Sequence, residues 1–155
     1  MSFEPAVVSA ITALVAIIIG PLVSICIAKN QINASVISTN RQVWINRLRD
    51  ELATLVGMVH HLPSAHANDS VSTNDAIAEY GKFVEKFQVI KLLLNPNEAD
   101  HQELVRLIEC ADKKLIESIN NKISNRSEFE TIGRDIVTQS QIVLKKEWQR
   151  VKSGQ

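Results

Sequence analysis

The sequence predicts an all-α protein in which one N-terminal transmembrane helix precedes an antiparallel bundle of about four helices. An uncharged apolar run occupies residues 6–28. The rest of the chain repeats apolar residues at spacings of three and four, as on the buried face of a helix. No segment alternates polar and apolar residues for long enough to predict a strand. Aromatic residues make up only 5% of the chain, which disfavours a β-sandwich or barrel.

The apolar run from Ala6 to Ala28 predicts a membrane-spanning helix. Such a helix would be about 34 Å long, enough to cross a hydrocarbon core of about 30 Å with some tilt. A cleaved signal peptide is the alternative. However, only Glu4 and no basic residue precedes the run, which is also longer than a signal-peptide core. We therefore divide the chain into an anchor at 1–29, a juxtamembrane stalk at 30–44 and a helical bundle at 45–152.

Basic residues predict the orientation of this helix. None precedes the apolar run, and several follow it. The positive-inside rule then places the C-terminal domain in the cytoplasm and Met1 outside. We expect the first basic residues after the run to contact lipid headgroups: Lys29, Arg41, Arg47 and Arg49.

Small residues recur every four positions in the apolar run, at Ala16, Gly20, Ser24 and Ala28. Small side chains allow close approach of helix backbones in a membrane, so this ladder predicts packing against another membrane helix. Small residues are nevertheless common in membrane helices generally. Pro21 removes a backbone donor next to Gly20, which predicts a kink at these two residues.

A heptad-like seam follows the stalk and predicts the first bundle helix. Its apolar residues alternate spacings of three and four, which suits either the bundle core or contact between copies of the chain. Pro63 is expected to end this helix, and the polar stretch 63–74 to form a loop. The seam residues are Ile45, Leu48, Leu52, Leu55, Val59 and Leu62.

Three more helices are predicted from the same periodicity. The second runs from about Asp75 to Leu94 and ends at the turn 95–97, because the residue before a proline avoids helical angles. A third helix follows to about Ile119. The pattern Ser127-x-x-Glu130 resembles a capping box that opens the last helix.

The composition specifies no chemistry. The 17 basic and 17 acidic residues balance, so nucleic acid is not an expected partner. Cys26 and Cys110 lie far apart, one of them in the apolar run, which fits a reduced compartment without a disulfide. Phosphate-binding and hydrolase motifs are absent from the sequence. We predict a protein that is not an enzyme and has no cofactor.

The histidines form no recognisable metal-binding pattern. His60, His61 and His66 lie close in sequence, but neighbours point to different faces of a helix and no cysteine or carboxylate pair completes a zinc spacing. His101 follows the proline turn among acidic residues. Acid–base chemistry is conceivable there, but a solvated first helical turn is the expected structure. We predict no metal site.

A basic stretch with one tryptophan ends the last predicted helix. It could touch phosphates or anionic headgroups. A solvated helix end, where cations interact favourably with the helix dipole, is the simpler expectation. The stretch comprises Lys145, Lys146, Trp148, Arg150 and Lys152.

Two stretches carry a resemblance to known proteins: 41–52 (RQVWINRLRDEL) and 91–104 (KLLLNPNEADHQEL). Their arrangement resembles a group of small, mostly uncharacterised bacterial and prophage single-pass membrane proteins, and covers nearly the whole chain. More loosely, the layout is similar to the membrane accessory protein of type VI-B CRISPR systems, which forms a pore-like oligomer that strengthens anti-phage defence. The Arg-to-His spacing of HEPN ribonucleases, proposed for that family, is missing at every histidine here.

Together these observations favour an oligomeric interaction or effector protein of the bacterial inner membrane. The resemblance implies that this protein perturbs the membrane in anti-phage defence. The expected partners are membrane lipid, further copies of the chain and a protein encoded by a neighbouring gene. Two alternatives stay open. One is a membrane-tethered enzyme acting on RNA through His101 or through His60 and His61, and the other is a scaffold for the neighbouring-gene partner.

Overall fold

Four helices account for most of the backbone that the computed structural model describes, namely residues 5–67, 72–123 and 125–153. Helix α1 spans Pro5–Ala67, α2 spans Thr73–Leu93, α3 spans Ala99–Asn121 and α4 spans Arg126–Ser153. The described residues contain no strand. The protein is thus all-helical, as the sequence predicted.

Helix α1 is a single helix of 63 residues. It includes the apolar run, the stalk at 30–44 and the seam predicted for the first bundle helix. At about 1.5 Å per residue it is a rod about 94 Å long. Pro63 was expected to end the helix at the seam, and this prediction was wrong: the helix continues to Ala67. A proline near a helix end removes only one backbone hydrogen bond, which packing of the buried Pro63 ring can offset.

The N-terminal part of α1 is apolar and lies outside the core. The window Thr12–Lys29 has a mean hydropathy of 2.2, and none of it is buried against the rest of the described chain. Leu14, Ile17 and Ile25 are each more than 60% exposed. By length and composition this segment is able to cross a membrane. Its complete exposure distinguishes it from the core helix of a globular domain.

The remaining part of α1 packs against the other three helices. It contacts α2, α3 and α4, and α3 also contacts α2 and α4. Trp44 Nε1 donates to Leu93 O at 2.8 Å, whereas Lys86 pairs with Glu51 at 2.8 Å further along the same two helices. Residue numbers therefore rise along α1 as they fall along α2.

All six seam residues lie in the core of this packed region, each at most 4% exposed. All but Ile45 belong to one buried cluster with residues of α2, α3 and α4, so they are not surface residues open to a second copy. The rest of this cluster comes from α2 and its C-cap residue Leu94, from α3 and from α4: Ala76, Phe83, Phe87, Ile90, Leu94, Leu104, Ile108, Ala111, Leu115, Ile119, Phe129, Ile136 and Val143.

Polar side chains set the helix ends. Ser72 caps α2 by accepting from Asp75 N at 3.2 Å. The capping box predicted at Ser127 is displaced: α4 already begins at Arg126, and the backbone N–H of Phe129 donates to Asn125 O. Ser127 Oγ instead donates to Asn125 Oδ1 at 2.9 Å. The chain thus enters α4 two residues earlier than the motif predicts.

Candidate functional site

A cluster of charged side chains lies where α1 leaves the packed region toward its apolar part. The turn between α2 and α3 and the C-terminal end of α4 meet α1 at this point, so residues far apart in sequence come together. We call these residues the polar cluster: Arg41, Glu98, Asp100, His101, Lys146, Glu147 and Arg150.

Glu98 is the residue in the cluster with the most polar contacts. Arg150 donates to both of its carboxylate oxygens, each at 3.0 Å, in the two-pronged geometry that a guanidinium favours. Lys146 Nζ lies 3.2 Å from Glu98 Oε2 and 2.9 Å from Asp100 Oδ2. The hydrogen bonds from Arg150, despite partial burial, lower the pKa of Glu98 to about 2. Glu98 is therefore ionised at any physiological pH.

Glu147 is a buried acid, 4% exposed, on the face of α4 that otherwise packs into the core. Arg150 donates to its carboxylate from one turn away, and Arg41 Nε lies 3.7 Å from Glu147 Oε2. Arg41 thereby ties α1 to α4 through an ion pair. Burying such a carboxylate is costly unless cations neutralise it, and these two arginines do so.

His101 lies at the centre of the cluster and is 2% exposed. Its Nδ1 accepts a hydrogen bond from the backbone N–H of Asn95 at 2.8 Å, which joins the first turn of α3 to the preceding turn. The Trp44 ring stacks on the imidazole with the centroids 6.4 Å apart. Burial lowers the pKa of His101, which outweighs the opposing effect of Glu98. The imidazole is neutral at pH 7.

Glu98, His101 and Glu147 bring potential ligand atoms within 4.8 Å of one another, a spacing that a metal ion requires. Because Nδ1 of His101 accepts from Asn95, the proton of the neutral ring resides on Nε2. An N–H cannot ligate a metal. In addition, both carboxylates already pair with cations from α1 or α4. The residues present do not fit a metal ion.

His101 Nε2 has no hydrogen-bond partner among the described residues. It lines an open cleft of about 460 Å³ that also contacts Ile37, Trp44 and Arg150. A buried N–H beside carboxylates suits an ordered water that bridges the groups. The cluster contains three basic and three acidic residues, and ion pairs among them join α1, the α2–α3 turn and α4.

The sequence located only half of this cluster. It predicted a solvated first turn around His101, and that prediction was wrong, because α1 and α4 bury the imidazole. Sequence reasoning also missed Glu147, and it placed Arg150 in a basic stretch without predicting that this arginine pairs with Glu98. One signal was available: Glu147 falls four residues after Val143 and four before Val151, both buried. A charge at a core position of an amphipathic helix indicates a buried ion pair.

The residues expected at lipid headgroups have different environments. Lys29, Arg47 and Arg49 are exposed, whereas Arg41 turns toward Glu147. Because α1 is unbroken, Arg41 lies about 18 Å and Arg47 about 27 Å beyond Lys29 along the helix axis. The headgroup layer is only about 5–8 Å thick on each side. Lys29 is thus the one of the four that lies next to the apolar span whatever the tilt of the rod.

The small-residue ladder lies exposed on α1, and no atom approaches within 4 Å of a Cβ built on Gly20. Ser24 Oγ donates back to Gly20 O at 2.9 Å, which satisfies this hydroxyl within the helix. Ala16, Gly20, Ser24 and Ala28 are therefore exposed on a part of α1 that the other described helices do not cover. The helix is continuous through Gly20 and Pro21, and the kink there stays a prediction.

The other histidines lie at the far end of the packed region from the cluster. His60 and His61 are exposed and line a small cleft with Arg126 and Glu130. The side chain of His66 lies outside the described residues. Arg126 Nε and Glu130 Oε1 form an ion pair here, 2.8 Å apart. The cleft brings together no set of three metal ligands among the described side chains.

The basic stretch at the end of α4 is divided between two environments. Lys146 and Arg150 belong to the polar cluster, whereas Lys152 Nζ lies 5.7 Å from the centroid of the Trp148 ring. Trp148 is 44% exposed. Only part of the stretch is therefore a solvated helix end.

Comparison of the chain with protein-family models, with curated proteins and with solved structures finds no match.

Proposed function

We propose that the protein is a membrane-anchored interaction protein that self-associates through its N-terminal helix, with an antiparallel four-helix bundle held on the cytoplasmic side of the bacterial inner membrane. The observation that carries this proposal is the continuity of α1. One unbroken helix joins a fully exposed apolar span to the bundle core. Any rotation or displacement of the membrane segment is therefore transmitted directly to the bundle.

The polar cluster supports this role by fixing the rod to the bundle at the point where it emerges. Arg41 on α1 pairs with Glu147 on α4, and Trp44 donates to the end of α2. Contacts between specific polar groups on different helices favour one arrangement of those helices. The cluster thus serves the coupling between membrane helix and bundle, and an enzymatic role for His101 is the less favoured reading.

Self-association is proposed through the ladder at Ala16, Gly20, Ser24 and Ala28, because membrane helices associate by close packing of small residues. Mass photometry of the full chain in mild detergent tests this. We expect an oligomer whose population falls when Gly20→Leu adds bulk on the ladder. Ile18→Leu is the matched control, since it lies two residues away on the opposite side of the helix. A strictly monomeric wild-type chain would contradict the proposed self-association.

Topology has its own test. A C-terminal fusion to green fluorescent protein should fluoresce in bacteria, and a C-terminal fusion to alkaline phosphatase should be inactive, because Lys29 and the later basic residues favour the cytoplasm for the bundle. The chain should also resist carbonate extraction from membranes. Active phosphatase would reverse the proposed orientation, and release by carbonate would contradict membrane insertion.

We further propose, on the resemblance alone, that the assembly perturbs the membrane in anti-phage defence. Dye release from liposomes containing the purified chain measures this directly. The span offers only Ser9, Thr12 and Ser24 as polar side chains to line a pore, which weighs against a conducting pore. Absence of release with an intact oligomer would favour the scaffold for a neighbouring-gene partner instead.

A further inference from the structure

The buried imidazole of His101 joins α1 to the α2–α3 turn through contacts that require it to be neutral. Its Nδ1 accepts from the backbone N–H of Asn95 at 2.8 Å, which ties the turn to the first turn of α3. The Trp44 ring of α1 stacks on the imidazole, with the two planes 19° apart. Trp44 also donates to the carbonyl of Leu93 at the end of α2. The protonation state of one side chain therefore bears directly on how the rod is joined to the bundle.

Protonation reverses the hydrogen bonding at Nδ1. Both nitrogens of an imidazolium carry a hydrogen, so neither of them can accept. The new Nδ1–H of His101 would face the N–H of Asn95, and two donors would meet where the neutral ring has a hydrogen bond. Asn95 is exposed, so its N–H can turn to water once the imidazole no longer accepts from it. Release of the turn is thus the direct consequence of adding a proton.

Charged side chains surround the ring from every element packed against it. Each acid among them already pairs with a cation, so none is left to hold an imidazolium in the present arrangement. Burial consequently lowers the pKa of His101, against the attraction of Glu98 and Glu147. These two carboxylates lie within 4.8 Å of a ring nitrogen and are the acceptors that a protonated ring can reach by turning. The surrounding charged residues are Arg41 from α1, Lys91 from α2, Glu98 from the turn, Asp100, Arg106 and Glu109 from α3, and Lys146, Glu147 and Arg150 from α4.

We infer that protonation of His101 opens the junction between α1 and the α2–α3 turn while the rest of the bundle stays folded. The imidazolium turns toward Glu98 or Glu147, the Asn95 N–H is released to water, and the stack on Trp44 is lost. The opening stays local because His101 is not part of the apolar core cluster, which begins at Leu48 on α1. Acid thus loosens the point where the rod leaves the bundle.

This inference rests on the proposed role of the polar cluster in coupling α1 to the bundle, and it makes that coupling dependent on pH. All of its contacts lie within one chain. A monomeric wild-type chain would therefore contradict the proposed self-association without bearing on the response of His101 to pH.

The indole of Trp44 can report the opening. The chain has two tryptophans, so Trp148→Phe leaves Trp44 as the only one. Tryptophan fluorescence of this full-length variant is followed from pH 8 to pH 5 in mild detergent. We expect one transition with a midpoint below pH 6.5, because burial lowers the pKa of His101 from that value. Emission should shift to the red and acrylamide should quench it more strongly, since the indole becomes more exposed to water. Circular dichroism should stay constant over the same range.

Two further substitutions assign the transition. His101→Gln should abolish it, because the glutamine amide oxygen can accept from Asn95 but does not titrate in this range. His60→Gln is the matched control and should keep it, since His60 is exposed at the far end of the bundle. A transition that persists in His101→Gln, or none at all in a folded chain, would overturn the inference. Loss of helicity at the same pH would also overturn it, because the opening would then be global unfolding.

Hydrogen exchange of the wild-type chain gives a readout that needs no substitution. The amide of Asn95 should lose protection between pH 7.5 and pH 5.5, after correction for the intrinsic dependence of exchange on pH. The amide of Phe87, in the middle of α2, is the internal control and should keep its protection. Equal protection of Asn95 at the two pH values would contradict the inference.

Discussion

The indole Nε1 of Trp44 donates a hydrogen bond of 2.8 Å to the backbone carbonyl of Leu93. Leu93 is the last residue of α2, so this carbonyl has no partner within its own helix. The bond thus satisfies a helix-terminal acceptor and fixes the point where α1 leaves the bundle. The same indole stacks on His101, which links three helices at one side chain.

Trp44→Phe should lower the free energy of unfolding by about 1 kcal/mol, because it removes this hydrogen bond and leaves a partly buried carbonyl unpaired. Urea denaturation in mild detergent, followed by circular dichroism, measures the change. Trp148→Phe is the matched control: Trp148 is 44% exposed, and its replacement should have little effect. Equal destabilisation by the two substitutions would contradict the role assigned to Trp44.

Arg150→Ala should destabilise the fold by about 2 kcal/mol, the scale of hydrogen bonds to charged groups, since it deprives both Glu98 and Glu147 of a cation. Loss of the cation beside Glu147 destabilises the fold more than its loss beside Glu98, because Glu147 is buried. Arg106→Ala removes an arginine that pairs with Glu103 on the surface of α3. Surface pairs contribute little, so this control should change stability only slightly. Similar effects of both variants would show that the polar cluster does not stabilise the bundle.

The periodicity of apolar residues was sufficient to predict the helices, because core-facing positions dominate each of them. Prediction from the local sequence failed for one helix end and for the long-range ion pairs. Proline rules predicted an end at Pro63, where burial of the ring in the tertiary structure outweighs the lost hydrogen bond. Local sequence also could not predict that Glu98 and Arg150, 52 residues apart, form one ion pair. Such a pairing depends on how whole helices are arranged, and a charge at position 147 was the only local sign of it.

Acid should destabilise the protein below about pH 6.5 through His101. Burial lowers the pKa of this imidazole in the folded state, so the unfolded chain binds more protons as the pH falls through the ordinary histidine value of 6.5. Stability is therefore fully present above that pH and decreases below it. Glu98 adds a second, lower window: its folded pKa of about 2 lies below the ordinary 4.5, so its contribution is lost as the pH falls from 4.5 toward 2.

Urea denaturation at pH 7.5 and pH 5.5 isolates the histidine effect, because Glu98 stays ionised throughout this range. His101→Gln keeps an acceptor that can reach Asn95 but does not titrate. The variant should lose less stability than the wild type between the two pH values. An identical pH dependence would assign the effect to another group.

Gly133 and His60 should show energetic coupling between α4 and α1. A Cβ added at Gly133 would come within 2.7 Å of Cε1 of the His60 ring, so the imidazole must move aside. His60 is exposed and has space to do so. Gly133→Ala alone therefore combines a gain in helix propensity of up to about 1 kcal/mol with the cost of displacing the ring, and should change stability little. In a His60→Ala background the displacement cost disappears, and the same substitution should stabilise the fold. A double-mutant cycle measured by urea denaturation gives the difference, and strictly additive effects would show that the ring does not pack on Gly133.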